Sequence, residues 1–229
     1  MRPWYFDKLG LIVQRDGDSG DTAQRVGMWG VAVAINQDYV KIFQFEQMME
    51  HIEIEESGIF WRSPTPPYNT PNDFSRDQQT SIACALGFTK QTEILKRMMW
   101  QHVKRLGKYQ NIDFASPAHW AIYARGLGAW YLWPLFWFSD IFLVIESLML
   151  CDAKLGPDYT TDDLDHVLML LQARFFYATP VSWLARWIYA KWRPYGGPQR
   201  AFSHYFREET GANPFDELFK PIIAEYILK

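Results

Sequence analysis

Two short polar stretches hold residues whose types and spacing could do chemistry. The first is Arg15-Asp16-Gly17-Asp18-Ser19-Gly20-Asp21-Thr22-Ala23-Gln24-Arg25, with three aspartates and two glycines just ahead of a helical run. Free amides and the positive end of the macrodipole favour carboxylates at a helix N-terminus, so a turn closed by Asp21 as N-cap accounts for it without any reaction. Asp-x-Asp also opens a calcium loop of the EF-hand kind. That loop needs an oxygen ligand at its fifth place, glycine at its sixth and glutamate at its twelfth. Here those places hold Gly20, Asp21 and Gly27, so it is not an EF-hand, and only a different metal geometry stays open. No metal or other cofactor is expected.

The second stretch, Asn72-Asp73-Phe74-Ser75-Arg76-Asp77-Gln78, also precedes an apolar helix. Ser75 and Gln78 have the spacing of a capping box. That leaves Arg76 and Asp77 in the first turn, Asp77 being four residues beyond Asp73. An Arg beside carboxylates in a cleft orients them and favours the charged form that a base or nucleophile needs. A third candidate is Asp140, which lies with Glu146 in the most apolar part of the chain. A lone buried charge is costly, so Asp140 is expected to meet Arg125 or Arg76, or to face a wet cavity. His119 reads as a satisfied histidine.

The elements that must position these groups read as helices. Apolar periodicity predicts helices over 39–54, 80–88, 92–106, 162–178 and 181–192, and a last one over 214–228. In the first of these, Val40, Phe43, Met48 and Ile52 are expected on one face. Leu9–Val13 is the one candidate strand. Small apolar helices (26–35, 80–88, 127–150) are followed by amphipathic ones, which implies inner helices wrapped by outer ones. The loop from Gly58 to Gln78 carries four prolines with Phe60, Trp61, Tyr68 and Phe74. That composition reads as an ordered loop packed over something.

Composition bounds the rest. The 229 residues suffice for one sizeable core, and the expectation is a single all-helical domain over 1–229. A net charge of −3 gives no footprint for nucleic acid. Cys84 and Cys151 make neither a zinc quartet nor a disulfide framework. The start has no apolar core of a signal peptide, which points to a chain cytoplasmic at synthesis. The uncharged run Gly126–Ser139 falls short of the ~20 residues a spanning helix needs, so 127–150 is expected to be buried core rather than a transmembrane segment. Phosphate-loop, dinucleotide, nucleophile-elbow and zinc-protease motifs are absent.

Apolar inner helices, amphipathic outer ones, acidic residues at helix mouths and 39 aromatic residues together resemble the α/α-toroid proteins, the helical-hairpin barrels of glycoside hydrolases and polysaccharide lyases. The likeness is of architecture, not of a catalytic motif. It implies an all-α array of helical hairpins in a compact or incomplete ring, since the length allows about eight to ten helices. It further implies an oligosaccharide or polysaccharide substrate and two-carboxylate chemistry. Asp18 or Asp21 would then oppose Asp77, with Arg25 and Arg76 orienting them. Trp61 and Tyr68 would stack on sugar rings, and Asp73, Arg125 and Asp140 would complete substrate binding. The competing expectation is a non-catalytic structural or interaction subunit that self-associates or joins an assembly. A weaker third is a peripheral membrane protein using Trp130–Trp137.

Overall fold

The computed structural model describes residues 4–14, 20–70, 76–105, 108–109, 112–113, 117–151, 161–193, 221–222 and 225–227. Among them are eight α-helices: α1 (Thr22–Ile35), α2 (Tyr39–Ile52), α3 (Arg76–Phe88), α4 (Thr92–Lys104), α5 (Pro117–Gly126), α6 (Trp133–Leu150), α7 (Thr161–Phe175) and α8 (Pro180–Trp192). The protein is mostly helical, as the periodicity requires. The strand expected near Leu9–Val13 is one half of a hairpin, β1 (Trp4–Phe6) against β2 (Ile12–Gln14). Two further short strands, β3 (Lys108–Tyr109) and β4 (Ile112–Asp113), pair antiparallel. Most of the expected C-terminal helix over 214–228 lies outside the described residues.

The chain divides into two compact units, Met1–Ala115 with Glu208–Gly211 and Ser116–Arg207 with Ala212–Lys229. The first holds α1–α4. Every residue of α1 from Thr22 to Val33 is buried, and so is α3 from Gln78 to Gly87. In contrast, α2 buries only Phe45, Met48, Met49 and Ile52, and α4 only Leu95, Met98 and His102. Two buried helices flanked by two one-sided ones is the expected alternation. The face of α2 differs: Val40 and Phe43 are exposed, and Phe45 takes the core position.

Contacts between α1 and α3 advance together along both helices. Gly20 meets Gln78, Gly27 meets Ser81 and Ile82, and Gly30 meets Ala85. The two helices therefore run parallel with their N-termini side by side. Gly27 sets their separation, because a Cβ there would lie 2.4 Å from the Ser81 carbonyl carbon.

The alternation in the second unit is reversed from the expectation. The stretch 127–150 is not one buried helix: it breaks after α5 at Gly128, passes through a 3-10 turn at Trp130–Leu132, and continues as α6. α6 buries one stripe, Phe136, Ser139, Asp140, Leu143, Ser147 and Leu150, and exposes apolar side chains on the other side. The helix buried all round is α7, from Asp165 to Ala173. The polar residues in the α6 stripe select the packing face because their partners lie inside. Arg125 on α5 holds Asp140 at 2.8 and 2.9 Å, and Thr179 Oγ1 donates to the same carboxylate at 2.6 Å. Ser147 Oγ lies 2.7 Å from His166 Nε2 on α7 and donates to the Ala185 carbonyl on α8 at 2.9 Å.

Candidate functional site

Where the first turns of α1 and α3 meet, the loop after α2 closes over them. Arg62 is the clasp: its Nε donates to the Gly20 carbonyl at 2.7 Å and its Nη2 to Asp21 Oδ1 at 3.3 Å. The Ala23 amide donates to the Arg62 carbonyl at 3.1 Å, and the Tyr68 ring lies under the guanidinium with its centroid at 5.3 Å. The described part of the expected loop, as far as residue 70, is thus seated on the mouth of α1. Gly20 has a φ of +81°, and a Cβ there would fall 2.8 Å from both Arg62 Nε and Tyr68 Cδ1, so the turn requires glycine.

From α3, Gln78 Nε2 donates to the Gly20 carbonyl at 2.6 Å and reaches Asp21 Oδ1 at 3.5 Å. From α1, Arg25 Nη2 stands 3.9 Å from Asp21 Oδ2. Asp21 occupies the N-cap position, yet its side chain makes no capping bond to α1. Its carboxylate turns instead to Arg62, Gln78 and Arg25. It remains 27% exposed, whereas Arg25 is 2% exposed. Below this rim the interior is polar: Gln24, Gln78, Gln79 and Ser81 are buried, and Gln24 Oε1 and Nε2, Gln78 Oε1, Gln79 Oε1 and Ser81 Oγ have no hydrogen-bond partner among the described residues. Buried polar groups of this kind call for ordered water.

The expected site residues divide as follows. Asp21, Arg25 and Tyr68 belong to this mouth. Arg76 and Asp77 stand in the first turn of α3, immediately before Gln78, but their side chains lie outside the described residues. Asp18 and Asp73 also lie outside them. Trp61 is half-buried on the same loop, its amide donating to the Ile52 carbonyl at 2.8 Å. Arg125 and Asp140 belong to the second unit, where they are 3% and 0% exposed. This sealed ion pair ties α5, α6 and the start of α8 together. It has the character of scaffold rather than of a surface offered to substrate.

Arg62 and Gln78 are the site residues that sequence reasoning missed. Arg62 lies among aromatic residues in the proline-rich loop, and the Ser75–Gln78 spacing is that of a capping box. Also missed was a Ser147–His166–Glu146 chain, in which His166 Nδ1 lies 3.3 Å from Glu146 Oε2. Its order is that of a nucleophile, base and orienting acid. However, Ser147 is 0% and His166 1% exposed, so the chain joins helices and no substrate carbonyl reaches it. No group of three or more metal-ligating side chains occurs among the described residues. Compared with known proteins, the chain matches no family model, no curated protein and no solved structure.

Proposed function

We propose that the protein is carbohydrate-active and cleaves glycosidic bonds at the paired mouth of α1 and α3, on an α/α-toroid-like array of hairpins. The observation that carries this reading is the parallel juxtaposition of two helix N-termini distant in sequence. It sets the partly exposed Asp21 carboxylate beside the turn that bears Asp77. Two carboxyl groups flanking a glycosidic oxygen are what the chemistry needs: one protonates the leaving oxygen, the other activates water or attacks the anomeric carbon. Asp21, or Asp18 before it, is the first of the pair and Asp77 the second. Arg62, Arg25 and Gln78 position Asp21, and Tyr68 offers a ring for stacking. The toroid-like arrangement is supported by the alternation of buried and one-sided helices in the first unit alone.

Asp21→Ala and Asp77→Ala test the assignment on an oligosaccharide selected from a glycan array. Each is expected to retain the circular-dichroism spectrum and to lose turnover by at least ~10²-fold; unchanged turnover rejects it.

A second reading, a non-catalytic subunit of an assembly, is favoured by the broad apolar face of α6. Glycan binding and turnover, whether by monomer or dimer, support the first reading, and an obligate oligomer that ignores sugars supports the second.

A further inference from the structure

The outer face of α6 inverts the usual arrangement of a helix in a water-soluble protein. Ser139, Asp140 and Ser147 point inward to hydrogen-bond partners, whereas Trp133, Phe138, Ile141, Ile145, Leu148 and Met149 are 45–64% exposed. Trp130 and Tyr131, in the turn leading into the helix, are each 68% exposed. The exposed positions Pro134, Phe138, Ile141, Ile145 and Leu148 recur at spacings of four, three, four and three, which is the seam of a helix packed lengthwise against another helix.

We propose that this seam is a homodimer interface in which α6 packs antiparallel against α6 of a second copy. Three observations select that occupant. The first is area. Half the surface of eight large side chains, at very roughly 200 Å² each, comes to about 800 Å² per copy. That is the contribution each partner makes to a standard stable interface, and it exceeds the apolar patch a monomer ordinarily exposes. The second is shape: along the seam Phe138 is the bulky member and Pro134, Ile145 and Leu148 are slimmer. A two-fold axis through Ile141 sets Phe138 against the partner's Ile145 and Pro134 against the partner's Leu148, so the ring meets an aliphatic side chain. Parallel pairing would set Phe138 level with Phe138. The third is charge. The only ionisable residues of α6 are Asp140, sealed with Arg125, and Glu146, bonded to His166. The seam is therefore uncharged, and α6 offers no lysine or arginine to hold a bilayer surface. The proposal is independent of the chemistry assigned to Asp21.

Sedimentation velocity of the full chain at about 10 µM tests it. The expected species has about 54 kDa, twice the 27.0 kDa chain. Ile141→Glu is expected to keep the helical circular-dichroism spectrum and weaken association by at least ~100-fold. In a Cys151→Ser background, Ile141→Cys is expected to form a disulfide-linked dimer under mild oxidation, because Ile141 meets its own copy at the axis. Leu148→Cys, far from the axis, is expected to cross-link at least ten times more slowly. A wild-type monomer, a dimer indifferent to Ile141→Glu, or equal cross-linking at both cysteines overturns the proposal. So does a monomer that floats with phosphatidylcholine vesicles, which would assign the face to lipid.

Discussion

At Asp21, one carboxylate faces donors from three separate segments: Arg25 on α1, Arg62 on the loop and Gln78 on α3. The placement depends on Gly20, whose carbonyl takes hydrogen bonds from both Arg62 and Gln78. Gly20→Ala combines a left-handed backbone with a Cβ inside the Arg62–Tyr68 contact. It is expected to lower unfolding stability by about 1–3 kcal/mol, read by urea denaturation. A loss below a few tenths would mean that the clasp adapts freely. The Arg125–Asp140 pair gives a sharper contrast. Removing one partner, as in Asp140→Ala, leaves an uncompensated buried charge and is expected to cost about 3–5 kcal/mol. Replacing both at once, as in Arg125→Met with Asp140→Leu, should cost less than Asp140→Ala. A double variant worse than the single would show that the charges do more than compensate each other.

At the level of the elements, the helices were readable because apolar spacing determines where a helix can exist. Which face turns inward was less so. Hydropathy around α6 is high on every side, and the face is chosen by Asp140 and Ser147, whose partners Arg125, Thr179, His166 and Ala185 come from other helices. A reading local in sequence cannot see them. The parallel approach of α1 and α3 was also hidden, since it depends on Gly27 lying against the Ser81 backbone. Backbone cannot yield as a side chain can, so Gly27→Ala is expected to lower stability by about 1–3 kcal/mol. It should also weaken the Arg62 clasp, read as faster hydrogen exchange at the Ala23 amide. Unchanged exchange would separate helix spacing from the site.

For the whole molecule, Asp21, Arg25 and Tyr68 could be picked out from the sequence, but not the other side chains that bind the mouth together. Arg62 and Gln78 had no distinguishing spacing, and their role appears only when segments some forty to sixty residues apart are adjacent. The dimer proposed through α6 adds a prediction of this scale. An uncharged seam should change its dissociation constant by less than ~3-fold between 50 and 500 mM salt, because nothing in it is screened. A steep salt dependence in analytical ultracentrifugation would indicate an ionic interface elsewhere. The central claim, that ligand binds where α1 and α3 begin, is tested most directly by backbone amide NMR during titration with an oligosaccharide selected on a glycan array. Shifts are predicted to concentrate at Gly20–Arg25, Arg62–Tyr68 and Gln78–Gln79, and to shrink in Asp21→Asn. Shifts centred on α6, or no oligosaccharide that binds, would contradict it.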